Sequence, residues 1–196
     1  IFELSNGTWT QKQKLTASDG TGSDGGDRFG NHVAISGNYA IVGAFGNDDN
    51  GDRSGSAYIF ELSNGTWTQK QKLLASDAAI RNMFGLSVAI SGNYAIVGAY
   101  NNTHDTGMTA GSAYIFERGN DGTWTQKPKL VASDPAEGDK FGYSVSISGN
   151  YAIVGAYDDD DHGSTSGSAY IFELSNGNWG TAVSGETYRT ETKKLL

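Results

Sequence analysis

Cysteine is absent from the sequence, and proline occurs only twice. The first absence excludes disulfides and thiolate chemistry, and the second argues against a proline-rich linker. Positive charge is also scarce, because 22 acidic residues stand against 14 basic ones and give a formal net charge of −8. Nucleic acid binding needs a basic surface, so we expect no nucleic-acid partner. The apolar runs are short and interrupted by Gly and Ser, which argues against membrane insertion.

An internal repeat dominates the chain. The stretch from Phe29-Gly30 to Leu73 recurs from Phe84 and again from Phe141, with shifts of 55 and 57 residues. A period of this size indicates a repeat architecture. Each copy holds four segments rich in Val, Ile, Tyr, Phe, Trp and Thr, with no helical periodicity. The sequence therefore predicts an all-β fold.

Short turns connect these segments. Ser-Gly-Asn joins the first two segments of each copy, and Asn-Gly or Asp-Gly joins the third and fourth. Such pairs favour tight hairpins, so each copy is predicted to be a four-stranded antiparallel meander. One meander cannot bury its own faces, and stacking meanders around an axis as propeller blades solves this problem.

The fourth segment carries lysine at alternating positions, which suits an exposed sheet edge. We therefore expect this segment at the outer rim of each blade and the apolar first segment at the axis. The lysines are Lys12, Lys14, Lys70, Lys72, Lys127 and Lys129.

Residues 1–196 form one predicted array. It comprises a half blade at 1–15, blades at 29–73 and 84–130, and a last blade at 141–196. The last hairpin is irregular because residues 180–191 are inserted after Trp179. About three and a half repeats make an incomplete ring. We expect the chain to be a slice of a longer protein, with the alternative that its open strand edge accepts a neighbouring chain.

The repeated Phe-Gly and Gly-Ala pairs resemble FG-GAP repeats, the units of the integrin α-subunit propeller and of many bacterial surface proteins. The resemblance rests on Phe29-Gly30 with Gly43-Ala44, Phe84-Gly85 with Gly98-Ala99, and Phe141-Gly142 with Gly155-Ala156. It implies a β-propeller and an extracellular or cell-surface location, in a bacterium. Phe or Tyr replaces the proline of Gly-Ala-Pro. Ser-Gly-Asn replaces the family's DxDxDG loop, so the family's usual calcium site does not carry over.

Alternating strand direction places the longer loops on one face. These loops lie between the second and third strands and between successive blades, and they hold 15 of the 22 carboxylates. The resemblance implies that this face binds ligands, as the matching face of integrin propellers does. The carboxylates are Asp19, Asp24, Asp27, Asp48, Asp49, Asp52, Asp77, Asp105, Asp134, Glu137, Asp139 and Asp158–Asp161.

Two of these loops have the composition of a calcium site. Carboxylate and amide oxygens cluster at 47–52 and at 158–161, and Ca²⁺ prefers such ligands. The alternative is that Asp, Asn and Gly simply make soluble turns. The predicted metal ligands are Asp48, Asp49, Asp52, Asp158 and Asp160, and Asp159 and Asp161 are further candidates for binding an ion or ligand.

Two other sets of acidic positions have a structural interpretation. Asp19, Asp77 and Asp134 recur in Ala-Ser-Asp, and Asp27 and Asp139 precede the Phe-Gly pair, where the middle copy has Asn82. We interpret both sets as caps of backbone amides in the turns between blades. The series Trp9, Trp67, Trp124 and Trp179 is interpreted as packing between blades rather than sugar binding.

No Ser, His and Asp recur together at matched positions, so we expect that the chain is not an enzyme. The leading hypothesis is an extracellular or cell-surface binding or adhesion module. Its acidic loop face would meet a protein or a glycan, with Ca²⁺ as the cofactor that these loops suggest. One alternative is a structural repeat protein that assembles through open blade edges into a filament or surface layer. The other is a non-catalytic propeller attached to an enzyme in a longer chain.

Overall fold

The computed structural model describes residues 1–20, 26–103, 107–182 and 188–195. These residues form strands and turns, and none of them belongs to a helix long and apolar enough to cross a membrane. The predicted all-β fold is confirmed. The strands form blades in a propeller-like arrangement, and the described residues do not close a ring.

The sheets follow the chain in order. The half blade is the hairpin of β1 (Phe2–Ser5) and β2 (Thr8–Gln11). The first blade contains β3 (Val33–Ser36), β4 (Tyr39–Ala44), β5 (Ser56–Ser63) and β6 (Thr66–Leu73). The middle blade contains β7 (Ser87–Ser91), β8 (Tyr94–Ala99), β9 (Ser112–Arg118), β10 (Trp124–Gln126) and β11 (Lys129–Leu130). The last blade contains β12 (Phe141–Ser148), β13 (Tyr151–Ala156), β14 (Ser168–Ser175), β15 (Asn178–Trp179) and β18 (Lys193–Leu195).

Strand pairing inside each blade is antiparallel and sequential. Ser36 pairs with Tyr39, so the turn between β3 and β4 has two residues. The Asn64-Gly65 turn between β5 and β6 has φ values of 50° and 78°, as a type I′ hairpin needs. The hairpins predicted at Ser-Gly-Asn and Asn-Gly are confirmed. The first strand of the middle blade, β7, contacts the first strands β3 and β12 of the two neighbouring blades, which places these strands on the inner side.

The hydrophobic cores lie between blades rather than within them. Side chains on one face of the first blade, including Ile41 and Ile59, pack against Val88 and Tyr114 of the middle blade. The middle blade presents Ile96 to the last blade in the same way. Because a strand alternates its side chains between two faces, the first and middle blades each contribute to two such cores, whereas the last blade contributes to one.

The Phe-Gly pair explains how closely the blades approach. The Phe84 ring packs edge to face on Tyr114 and Phe116 of its own blade, at 5.4 and 6.0 Å between ring centroids. The next residue, Gly85, brings its carbonyl oxygen to 2.0 Å from where a Cβ on Gly43 of the first blade would lie. Only glycine fits at position 43, because any side chain would strike the backbone of the next blade.

The outer strand departs from the simple meander in two blades. Pro128 has no N–H to donate, and it divides the fourth strand of the middle blade into β10 and β11. In the last blade the chain leaves after β15 and forms β16 (Thr181–Ala182) and β17 (Tyr188–Thr190). Strand β17 pairs in parallel with β11 of the middle blade. Strand β18 then returns to β14, where Leu195 pairs with Ala169 as Leu73 pairs with Ala57. Residues 183–187 of the predicted insertion, and residue 196, lie outside the described residues.

Candidate functional site

The longer loops meet on one face of the molecule, which we call the loop face. It consists of the described parts of 16–32, 45–55, 74–86, 101–111, 131–140 and 157–167. Neighbouring loops are joined by hydrogen bonds. Gly46 N donates to Asp27 O at 3.1 Å, and Gly138 N donates to Thr109 O at 3.0 Å. Asp24 and Asp105, two of the carboxylates predicted on this face, lie outside the described residues.

The carboxylates of the loop at 45–55 point to different partners. Asp48 is exposed, and its Oδ1 accepts the Arg53 amide at 3.0 Å within the loop. The Asp49 carboxylate accepts from Lys72 Nζ at 2.5 Å. Asp52 reaches the next loop, where its Oδ2 lies 3.3 Å from Arg81 Nε. This loop therefore spreads its three acidic side chains instead of directing them to one point.

The loop at 157–167 buries one carboxylate and exposes others. Asp159 is only 2% exposed, and it accepts hydrogen bonds from Ser168 Oγ and Tyr170 OH, both at 2.8 Å. Burial alone would raise the pKa of Asp159, but these hydrogen bonds and that of Lys194 hold the pKa below its ordinary value. Asp161 accepts from Lys194 Nζ at 2.5 Å. Asp158 is half-buried, and Asp160 is exposed.

Two observations bear on a cation at these loops. Among the described residues, no three Asp, Glu, His or Cys side chains form a group that could hold a metal ion. The Ser-Gly-Asn turns, where the family's calcium loop would stand, are two-residue hairpins without a carboxylate. The family's usual site therefore does not fit here. Calcium binding at the loops containing Asp48 and Asp160 stays a prediction.

The lysines of the fourth strand correct one expectation. Lys70 is exposed, as expected for an outer edge. Its neighbour Lys72 has a side chain only 16% exposed, and the corresponding values for Lys129 and Lys194 are 8% and 14%. The prediction that these lysines form an exposed edge is wrong for Lys72 and Lys129, because each turns its ammonium group onto carboxylates of the loop face.

The Ala-Ser-Asp carboxylates are the partners of these lysines. Asp19 lies 2.7 Å from Lys72 Nζ, Asp77 lies 2.8 Å from Lys129 Nζ, and Asp134 lies 2.8 Å from Lys194 Nζ. Burial alone would raise the pKa of Asp77, but hydrogen bonds from Lys129 and Tyr114 hold the pKa below its ordinary value. The interpretation of these carboxylates as turn caps missed the lysine contacts.

The acidic position before Phe-Gly is buried in every copy. Asp27, Asn82 and Asp139 are 7%, 4% and 4% exposed. The Ala136 amide donates to Asp139 Oδ2 at 2.7 Å, which confirms the predicted cap at this copy. Burial, together with Asp159 and Asp160 nearby, raises the pKa of Asp139 above its ordinary value.

Glutamines of the fourth strand join the blades, and sequence reasoning missed them. Gln71 Nε2 donates to Trp124 O at 2.7 Å, and Trp124 N donates back to Gln71 Oε1 at 2.8 Å. Gln13 makes the same pair of bonds with Trp67. The repeated Trp-Thr-Gln-Lys-Gln pattern is visible in the sequence, but the hydrogen bonds that its glutamines make to the next blade become apparent only in the structure.

The tryptophans pack between blades, as interpreted from their repeat position. The Trp124 ring meets Tyr39 of the preceding blade at 5.9 Å, and Trp179 meets Tyr94 at 5.4 Å. Both tryptophans are 2% exposed. Trp9 of the half blade is 65% exposed.

A comparison with family models identifies the repeat. The model of the FG-GAP repeat matches residues 9–60, 67–116 and 124–172. Each matched unit starts in the fourth strand of one blade and ends in the third strand of the next. FG-GAP repeats typically occur in extracellular or cell-surface proteins. A comparison with curated proteins finds no match.

Proposed function

Because the chain belongs to the FG-GAP repeat family and forms a β-propeller-type module, we propose that it is an extracellular or cell-surface binding module of a bacterium. Its loop face meets a protein or a glycan. The observation that carries this proposal is the concentration of acid in the loops of this face, whose described parts hold 13 of the 22 carboxylates of the sequence. Such a surface favours partners with a complementary positive patch and accelerates their association.

The exposed ends of two loops supply the free charge for this interaction. Asp48 and Asp160 are exposed, and within the described part of the chain neither carboxylate lies within 4.0 Å of a Lys or Arg side-chain nitrogen. Their neighbours Asp49 and Asp161 are already paired with lysines. A partner would therefore displace water from Asp48 and Asp160 without breaking an ion pair of this chain.

The experiment compares two charge-neutralised forms. Wild type, the double variant Asp48→Asn and Asp160→Asn, and the control Asp121→Asn are applied to arrays of cell-surface proteins and glycans. Asp121 is exposed in the β9–β10 turn, away from the loop face. We expect the double variant to lose about tenfold or more in affinity for the ligands that bind wild type, with a weaker salt dependence. Equal affinity of the double variant and wild type would refute the proposed face.

Calcium dependence is the finer part of the proposal. The same exposed carboxylates, Asp48 and Asp160, are oxygen ligands of the hard type that Ca²⁺ prefers. Isothermal titration of wild type with Ca²⁺ should give saturable heat that the double variant loses. A titration without saturable heat would remove Ca²⁺ from the proposal and leave the acidic face intact.

A second function, assembly of copies through their ends, is favoured by two exposed apolar surfaces. One is a groove of about 540 Å³ between the half blade and the first blade, where Val33 and Ile35 are 62% and 60% exposed. The other, of about 420 Å³, lies on the last blade beside Tyr151 and Ile153. Matching surfaces of the inner blades are buried against each other. A further blade of a longer chain or a second copy could cover them.

Light scattering of the chain, with and without Ca²⁺, separates these functions. Ordered assemblies that dissociate on Ile153→Asp would support assembly through the ends. A monomer under all conditions would reject it. The hypothesis of a propeller attached to an enzyme stays a prediction, which the sequence flanking this chain would decide.

A further inference from the structure

One lysine position recurs at the same place in all three full blades. Lys72 pairs with Tyr58 of the third strand, and Lys194 pairs with the equivalent Tyr170. Lys129 holds the same position in the middle blade, because the next residue, Leu130, pairs with Ala113 as Leu73 pairs with Ala57. Each lysine lies near the end of its strand that faces the loops. Each also contacts the Ala-Ser-Asp carboxylate of the loop that enters its blade.

In the first blade the lysine joins two loops. Lys72 Nζ lies 2.7 Å from Asp19 Oδ2 in the loop before the blade and 2.5 Å from Asp49 Oδ2 in the loop at 45–55. The Asp residues are 53 and 23 positions away in sequence. The ammonium group also lies over the Tyr58 ring, 5.4 Å from its centroid.

In the last blade the ammonium group of Lys194 contacts three carboxylates. Lys194 Nζ lies 2.8 Å from Asp134, 3.1 Å from Asp159 and 2.5 Å from Asp161. Tyr170 again places its ring under the ammonium group, at 5.2 Å. The Tyr170 hydroxyl donates to Asp159 at 2.8 Å. Two loops therefore converge on one nitrogen atom.

We propose that Lys72 and Lys194 are positioning residues that act as internal cations and hold neighbouring loops of the loop face in one arrangement. An ordinary surface ion pair joins two flexible side chains and contributes little. These lysines differ because their side chains are only 16% and 14% exposed and each meets carboxylates from two loops. A positive charge inside each pair of acidic loops offsets the repulsion that would push the loops apart.

The protonation of the lysines is consistent with this role. Burial alone would lower the pKa of Lys72, but Asp19, Asp49 and Tyr58 outweigh burial and raise the pKa above its ordinary value. Lys194 behaves in the same way with Asp134 and Asp161. Both ammonium groups therefore stay charged throughout the physiological pH range.

Hydrogen exchange of the loop amides tests the proposal directly. Gly51, Ser54 and Gly55 donate hydrogen bonds within the loop that Asp49 belongs to, so their amides report its order. In Lys72→Met we expect these amides to exchange about tenfold faster. The matched control is Lys70→Met. Lys70 lies in the same strand and pairs with Glu61 at 3.0 Å, but it is exposed. This control should change the same amides by less than about twofold.

A second pair of measurements separates positioning from general stability. Lys72→Arg keeps the charge and should restore most of the protection, and Lys194→Met should accelerate Gly163, Ser166 and Gly167 in the last blade instead. The amides of β8 and β9 should stay protected in every variant, which shows that the chain is folded.

Three outcomes would overturn the proposal. They are equal exchange in Lys72→Met and Lys70→Met, uniform acceleration in all blades, or no rescue by Lys72→Arg. The proposal is independent of the proposed function, because exchange is measured without any ligand.

Discussion

The middle and last blades contain the same strand sequence in two different environments. Strands β8 and β13 both have the sequence Tyr-Ala-Ile-Val-Gly-Ala and pair with their neighbours in the same register. Ile96 of β8 is fully buried, whereas Ile153 of β13 is 39% exposed. Tyr94 packs on Trp179, whereas the equivalent Tyr151 is 55% exposed.

This difference shows what one repeat determines by itself. The local sequence determines strand pairing and turns within a blade. Burial of the face that carries Ile96 depends on the next blade, because the core lies between blades. The stability of the array is therefore expected to be a sum of blade and interface contributions, as in other repeat proteins.

The largest expected effect comes from removing the same isoleucine side chain in both blades. Ile96→Ala should lower the free energy of unfolding by about 3 kcal/mol, because a buried cavity remains. Ile153→Ala should cost less than about 1 kcal/mol, because this side chain is already partly in water. Urea unfolding followed by tryptophan fluorescence measures both. Similar costs at the two positions would show that Ile153 is covered in solution, as assembly through the ends requires.

The glycine two residues later sharpens the comparison. A Cβ on Gly98 would lie 1.9 Å from the Gly142 carbonyl oxygen of the last blade. The equivalent Cβ on Gly155 meets first the Ser144 hydroxyl, at 2.4 Å, which can rotate away. Gly98→Ala should therefore cost about 2–3 kcal/mol, and Gly155→Ala less than about 1 kcal/mol. Thermal unfolding tests this difference, and equal melting temperatures would contradict the close backbone contact between blades.

The blades were predictable because their signals are local. Hairpins at Ser-Gly-Asn and Asn-Gly depend on adjacent residues, and the repeat itself supplies the order of the strands. The inserted segment was not predictable, since Tyr188 pairs with Lys129 of another blade. The loop face followed from strand direction. The role of Lys72 did not, because alternating lysines indicate a solvated edge, and Asp19 and Asp49 are distant in sequence. Which carboxylates stay unpaired depends on such distant contacts.

The paired hydrogen bonds of Gln71 and Gln13 allow the interface between two full blades to be compared with the interface of the half blade. Gln71→Ala leaves the buried Trp124 amide without its partner, so we expect a cost of about 1–2 kcal/mol. Gln13→Ala removes the same two bonds between the half blade and Trp67. It should release residues 1–15 and leave the unfolding of the other blades unchanged. Hydrogen exchange of β1 and β2 distinguishes the two variants. A loss of protection in the middle blade of Gln13→Ala would show that the array unfolds as one unit.

The smallest expected effect concerns the buried acidic position before Phe-Gly, where the middle blade has Asn82 and the last blade has Asp139. Burial and the nearby Asp159 and Asp160 raise the pKa of Asp139. A carboxyl group whose pKa is raised on folding favours the folded state only when protonated, so the charged form costs stability at neutral pH. Asp139→Asn should therefore stabilise the chain by up to about 1 kcal/mol at pH 7, and this gain should vanish as the pH falls below the ordinary pKa of Asp, about 4.

Asp159, on the same loop face, is expected to have the opposite effect on the pH dependence of stability. Its pKa is lowered in the folded chain, so its contribution is present above the ordinary pKa of Asp and is lost as the pH falls through the folded value. Urea unfolding of wild type, Asp139→Asn and Asp159→Asn from pH 3 to pH 7 tests both. We expect the destabilisation by Asp159→Asn to be larger at pH 7 than at pH 3, because at pH 7 the variant removes a charged carboxylate partner of Lys194. If Asp139→Asn also destabilised the chain at pH 7, the hydrogen bond from the Ala136 amide to the Asp139 carboxylate would outweigh the cost of burying the charge. The last blade would then need a carboxylate at the position where the middle blade has Asn82.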